Sequence, residues 1–297
     1  MELRVLEYFL AVAREQNITA AAESLHLSQP ALSRQLREME EKLGKQLLIR
    51  GVKGSRKVIL TEEGMILRKR AEEILSLVRR TENEITQSDE TIAGNVFIGT
   101  GETETVRLFA KVAKKLQQKY PDIRYNISSG NAEHVLEYLD KGLIDFGLLF
   151  TEIDAQKYEA IPVPIKDTWG VLMRKDSPLA EKETICPEDL WDKPLIVSHQ
   201  KGDDRYLNQW LQREESELHI VATYNLLFNA SLLVDEGLGY ALCYDKLINT
   251  KGSNLCFRPF SPGLEARGFI VWKKYQVFSK AANIFLQYLQ ELLETEN

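Results

Sequence analysis

The stretch from Asn17 to Gly64 constrains the fold most tightly, because it strings two short helices, a tight turn and a basic hairpin into one compact span. Thr19 is a favourable N-cap, and Ala20, Ala21, Ala22 and Glu23 propagate a short helix behind it. Leu27 and Ser28 make the turn. Ser28 can cap a second helix, and Pro30 fits its first turn, where backbone N–H groups have no intrahelical partner. The second helix carries Leu32, Leu36, Met39 and Leu43 at spacings of four, three and four, one apolar stripe facing a core. Its other face carries the donors Gln29, Ser33, Arg34 and Arg37 in the first turns, the part of a recognition helix that meets base edges in the major groove.

Charge supports a phosphate partner in this region alone. Between Ser28 and Lys57 stand eight basic residues (Arg34, Arg37, Lys42, Lys45, Arg50, Lys53, Arg56, Lys57) against three acidic ones (Glu38, Glu40, Glu41), in a chain of net charge −6. The hairpin runs through Leu47-Leu48-Ile49, a turn from Gly51 to Gly54, and Lys57-Val58-Ile59-Leu60. It reads as the wing of a winged helix-turn-helix, with Arg50, Lys53, Arg56 and Lys57 around it. Arg56 is expected to enter a narrow flanking minor groove.

This segment resembles the N-terminal domain of the LysR-type transcriptional regulators. The residues that carry the likeness are Ala21-Ala22, Leu25, Ser28-Gln29-Pro30-Ala31-Leu32-Ser33, Glu40, Leu43-Gly44, Leu47, Arg50, and Leu60-Thr61 before Gly64. The ordered run SQPALSRQLREMEEKLG makes the likeness specific, and the family's layout then covers the whole chain. Family members usually carry Phe where this chain has Leu48, and a more basic segment where it has Gly51-Val52. The resemblance implies base and near-base contacts from Gln29, Pro30, Ser33 and Arg34, with Arg37 beside them. Arg50, Lys53, Arg56 and Lys57 are expected on phosphate or minor groove.

The chain is long enough, at 297 residues, for two or three domains. No apolar stretch approaches the ~20 residues that span a bilayer. The first sixteen residues mix Leu3, Leu6, Phe9, Leu10 and Ala13 with charged residues at helical spacing, so a core helix is expected there rather than a secretion signal. Cys186, Cys243 and Cys256 lie far apart, without metal-site spacing, and are expected to be inert thiols in a reducing cytoplasm. Neither metal nor cofactor is expected.

Thr61 caps a long helix that runs to about Ser88, with Glu62 and Glu63 in its first turn. Leu67, Ala71, Ile74, Val78, Thr81 and Ile85 repeat at coiled-coil spacing, so an identical helix from a second chain is the expected partner. Two recognition helices could then read a palindromic site. The resemblance implies the same homodimer, and often a tetramer of two dimers.

Beyond Gly94 strands alternate with helices. Asn95–Gly99, Ile123–Ser128 and Ile144–Phe150 read as strands, Thr103–Lys119 and Ala132–Lys141 as helices, which predicts a mostly parallel sheet covered on both faces. Ile161–Pro164 reads as an extended connection to a second unit. That unit holds Trp169–Met173, Leu195–Ser198, helices near Arg205–Gln212 and Leu226–Glu236, and Tyr240–Tyr244. Gly268–Trp272 and a helix over Phe278–Glu294 bring the chain back. The expected class is α/β: a winged helix-turn-helix over residues 1–60, a linker (dimerisation) helix over 61–90, and an effector-binding domain over 91–297. The resemblance implies that this last domain is two-lobed and like periplasmic binding proteins, lobe I covering about 91–162 and 267–297 and lobe II about 163–266.

In such sheets a small molecule lies beyond the carboxyl ends of the strands, near helix N-termini. That rule singles out Thr100, Gly101, Thr103, Ser128, Ser129, Phe150, Ser198, His199 and, next to it, Gln200, and the resemblance points to the same places for an effector. Glu102, also at that strand end, and Glu104 would repel an anionic ligand there, so either they point away, or the ligand is neutral or cationic, or the pocket is unlike the family's. An enzyme is disfavoured. The run Gly99-Thr100-Gly101 has Glu104 where a dinucleotide fingerprint needs its third glycine, and no nucleophile elbow, paired metal histidines or phosphate loop is present. The expected protein is a cytoplasmic, sequence-specific transcriptional regulator controlled by a small-molecule effector, with double-stranded promoter DNA as partner.

Overall fold

The computed structural model describes residues 1–51, 57–86, 92–199 and 204–296. It divides into two compact units, Met1–Thr86 and Gln87–Asn297.

In the first unit, α1 (Leu3–Glu15), α2 (Ile18–Ser24) and α3 (Gln29–Leu43) enclose a core of Phe9, Val12, Ala21, Leu32 and Leu36, all excluded from solvent. The N-cap of α2 is Asn17, two residues before the expected Thr19. Its side chain accepts from the N–H groups of Thr19 and Ala20. Ser28 caps α3, its hydroxyl accepting from Ala31 N, with Pro30 in the first turn as expected. Leu43 leaves the expected stripe and is exposed, because α3 ends there in a left-handed C-cap at Gly44 (φ 63°). Strands β1 (Leu48–Arg50) and β2 (Val58–Leu60) pair antiparallel and form the wing's stem. Thr61 caps α4 (Glu62–Thr86). At Gly64 a Cβ would lie 2.2 Å from the carbonyl oxygen of Leu47, so only glycine lets α4 start this close to the hairpin.

The apolar stripe of α4 is divided. Ala71 and Leu75 are buried with Leu6 of α1, and Leu67 packs beside them, so part of the stripe expected for a second copy is used within the unit. Ile66, Ile74, Leu77 and Ile85 remain exposed.

The second unit holds a nine-stranded mixed sheet. Strands β3 (Gly94–Thr100), β4 (Ile123–Ser129) and β5 (Phe146–Leu149) are parallel, as expected from their alternation with α5 (Arg107–Lys119) and α6 (Ala132–Asp140). α5 buries Leu108, Phe109, Val112 and Leu116, spaced to line one face, against the sheet and α9 (Lys280–Glu296). α6 covers the opposite face through Val135 and Leu139. The stretch expected as a connection at Ile161–Pro164 is instead part of one 17-residue strand, β6 (Tyr158–Arg174). Its first half pairs antiparallel with β11 (Glu265–Lys273), which in turn pairs with β5. Its second half pairs with β9 (Tyr240–Tyr244) and β10 (Leu255–Pro259). The ladder shifts between Arg267 and Phe269, opposite Pro162–Lys166, and this irregularity accommodates Pro164, which has no N–H to give. Strands β7 (Leu195–Ser198) and β8 (Ile220–Tyr224) complete the sheet in parallel beside β9. Helices α7 (Asp204–Leu211) and α8 (Leu227–Asp235) flank them. Strands β8 and β10 were not expected from the sequence. No helix among the described residues is long and apolar enough to cross a membrane.

Candidate functional site

On α3 the buried face anchors the helix and the opposite face is open. Leu32 and Leu36 are fully buried and Met39 nearly so, while Gln29, Pro30, Arg34 and Arg37 are exposed and Ser33 is half-buried. Arg34 Nε lies 3.8 Å from a carboxylate oxygen of Glu38, a long, solvent-exposed pair that leaves the guanidinium easily redirected. Lys57, at the foot of the wing, is exposed. Lys53 and Arg56, and with them the minor-groove expectation, lie outside the described residues.

Arg50 is placed differently from the expectation of a phosphate contact. Its Nη2 donates to Glu40 at 2.7 Å, and the side chain is half-buried. The other oxygen of Glu40 accepts from the backbone N–H groups of Leu47 (2.8 Å) and Leu48 (3.0 Å). One carboxylate thus ties α3 to the first wing strand, and Arg50 neutralises it.

In the second unit the carboxyl ends of β3, β5, β7, β8 and β9 converge on a cavity of about 40 Å³. It is lined by Gly101, Glu102, Phe150, Trp169, Ser198, Tyr224, Asn225, Leu227, Cys243, Tyr244 and Leu247. Of the expected contacts, Gly101, Phe150 and Ser198 border it. Thr100 and Thr103 are buried and committed elsewhere: the Thr100 hydroxyl donates to Gly101 O, and that of Thr103 to Asp167. Ser128, Ser129 and His199 do not line it. Ser129 and His199 are exposed, and the His199 N–H continues the β8 ladder to Tyr224 O at 2.7 Å. Gln200 is outside the described residues. Trp169, Tyr224, Tyr244 and Cys243 were missed, since nothing local marks a strand residue as facing a cleft. The aromatic-rich strands TWGVLM and YALCY were the available signal.

The two unexpected glutamates separate. Glu104 turns to Arg107 one helical turn on, an exposed pair. Glu102 borders the cavity and accepts from the N–H of Leu227 at the start of α8. Burial pushes the Cys243 thiol well above its ordinary range, and the Asp245 and then the Glu102 carboxylate add to this, so the thiol stays protonated. A larger cavity, about 860 Å³, shares Phe150 and Trp169 in its lining and includes Lys166, Arg267 and Glu152. Among the described residues no group of acidic, histidine and cysteine side chains is arranged to hold a metal ion.

Asp167, on β6, is buried and accepts from the hydroxyls of Thr103 and Thr105. Burial raises its pKa above the ordinary carboxyl range, outweighing those bonds. A folded-state pKa above the unfolded one stabilises fully below the unfolded value, and the contribution is lost as pH rises through the folded value. Asp167→Asn, whose amide oxygen can still accept, is expected to flatten this part of the stability–pH curve and leave neutral-pH stability equal or higher. Thermal melts from pH 4 to 8 check this, and a melting temperature lowered at pH 7 with the slope intact would contradict it.

A winged helix-turn-helix and a two-lobed α/β domain with a cleft at its strand ends define a DNA-binding regulator with a ligand-type domain. Comparison with known proteins agrees. The description "Bacterial regulatory helix-turn-helix protein, lysR family" matches residues 3–65, and "LysR substrate binding domain" matches residues 89–294. The chain belongs to the LysR family of DNA-binding transcriptional regulators, whose members are regulators and not enzymes. It is 36% identical to the HTH-type transcriptional regulator BsdA of Bacillus subtilis, over 82% of this chain and 83% of that protein. It is 24% identical to the HTH-type regulator YvbU of the same organism over the full length of both. With the dual regulator OxyR of Escherichia coli it shares 32% identity over 66% of this chain and 63% of OxyR. In fold it is similar to full-length CbnR complexed with its target DNA, with a TM-score of 0.75, 19% identity, and 98% of this chain and 99% of that one covered.

Proposed function

We propose that this protein reads a specific promoter site with the first turns of α3 and that a small molecule in the cleft controls its output. The supporting observation is the division of α3: a fully buried stripe of Leu32 and Leu36 locks the helix, and the exposed face offers Gln29, Pro30, Arg34 and Arg37. Ser33 lies beside them. Lys57 supplies charge to the backbone, whereas Arg50 contributes by holding Glu40. Such a protein works where the DNA is, in the cytoplasm.

Arg34→Ala is expected to relax site preference, since a bidentate base contact discriminates by about 1–3 kcal/mol. Lys57→Ala is expected to weaken all sequences alike and to lower the salt slope by about one. The operator would be selected from a random duplex pool and titrated beside a scrambled sequence at several salt concentrations. Equal losses on both DNAs in both variants would refute the base-reading role.

We further propose a homodimer through α4, with a tetramer as the next assembly. Ile66, Ile74, Leu77 and Ile85 are exposed within one stripe of the helix, the surface a second copy would cover. The proposed domains are residues 1–60, 61–90 and 91–297. The proposed lobe boundaries near 162 and 267 coincide with the β6–β11 irregularity, a natural place for lobes to flex. A metabolite screen by thermal shift tests the effector role, since a ligand of the folded state raises the melting temperature. Hits bound in the cleft must be lost in Ser198→Trp, which fills it.

A further inference from the structure

One of the protein's own carboxylates already occupies a backbone donor at the cleft: Glu102 takes the N–H of Leu227 at the head of α8. That is the kind of group with which a helix start would receive an anion. A ligand carboxylate entering the cavity would meet Glu102, in a half-buried setting where like charges repel more strongly than in water.

The rest of the wall favours the opposite charge. Among the described lining residues there is no Lys, Arg or His, and Glu102 is the one charged group. Around it stand Phe150, Trp169, Tyr224 and Tyr244. The ring of Tyr244 lies 4.6 Å from Trp169 at 60° and 5.6 Å from Phe150 at 39°. Rings tilted against one another turn their electron-rich faces in several directions, the arrangement that surrounds an ammonium group. A carboxylate has about four lone-pair sites, so the bond to Leu227 leaves Glu102 able to accept from a ligand.

We propose that the cleft takes an organic cation, with Glu102 as its counter-charge and Phe150, Trp169 and Tyr244 as its aromatic walls. This rests on the effector-cleft reading above and names the charge class of the ligand. The volume of about 40 Å³ holds an ammonium head, and the remainder of the ligand extends toward the larger cavity, which Phe150 and Trp169 also border.

The test is calorimetry on the full-length protein with three probes of one shape: benzylammonium, benzyl alcohol and benzoate. Wild type is expected to bind benzylammonium most tightly and benzoate least. Glu102→Gln keeps an oxygen for Leu227 N–H and removes the charge. It is expected to weaken benzylammonium about tenfold or more while changing benzyl alcohol little. Trp169→Leu, checked for an unchanged circular dichroism spectrum, is expected to weaken benzylammonium as well. Benzoate binding as tightly as benzylammonium, no benzylammonium heat at millimolar concentration, or an E102Q affinity equal to wild type would each overturn the proposal. If metabolite hits of another charge are abolished by Ser198→Trp, the cleft remains the effector site and only its cationic character falls. If no hit responds to that variant, the cleft reading falls with it.

Discussion

Glu40→Ala is expected to cost the DNA-binding unit about 3–5 kcal/mol, because it removes one partner of a largely buried ion pair and leaves the other uncompensated. Three donors lose their acceptor at once: Leu47 N, Leu48 N and Arg50 Nη2. Among the described residues the Nε of Arg50 is already buried without a hydrogen-bond partner, so no acceptor at that nitrogen takes over from Glu40. The two backbone N–H groups belong to the residues that lead into β1, so the wing stem loses its attachment to α3. A small domain has only about 5–15 kcal/mol of net stability, and a loss of this size should abolish operator binding near 37 °C. The four tryptophans, Trp169, Trp191, Trp210 and Trp272, all lie in the second unit. The variant should therefore lose helical circular dichroism at lower temperature while its tryptophan transition stays in place. Wild-type operator affinity with an unchanged dichroism melt would show that Glu40 does not hold the wing.

Phe285→Ala should have a loss of similar size in the second unit, about 3–5 kcal/mol for a buried aromatic side chain. Phe285 is fully buried on α9, with the rings of Phe109, Tyr125 and Phe146 centred 5.6–5.9 Å away. The surrounding rings belong to the same packed cluster, so the cavity should stay open instead of collapsing. Phe146 also meets Trp272 edge-on at 6.4 Å, which places a fluorophore beside the void. Urea unfolding followed by tryptophan fluorescence should show a lowered midpoint with little change in slope. A loss under about 1 kcal/mol would mean that α9 is not integral to this core.

Both effects were only partly legible beforehand. Phe285 falls on an apolar stripe that any helical projection of Phe278–Glu294 reveals, so its burial followed from spacing. Glu40 stood out only as part of a resemblance, and its charge counted against the basic patch. Its partners are seven, eight and ten residues away, across a helix end and a turn. The cleft shows the same division. Gly101, Phe150 and Ser198 were found because strand ends followed by helices are a local pattern. Trp169 and Tyr244 were not, because they come from strands that pair antiparallel only after long excursions of the chain.

From residues alone came the two-helix motif with its Ser28 cap, the basic wing, the long helix from Thr61 and the alternation that builds the parallel strands. These depend on capping, periodicity and turn chemistry, which act over a few neighbours. Tertiary structure decided the rest. It merged an expected connection into the long strand β6, withdrew Arg50 and Thr103 into the protein, and carried Glu102 to Leu227 across 125 residues. Which distant groups meet depends on how the sheet closes, and no spacing between neighbours along the chain encodes that.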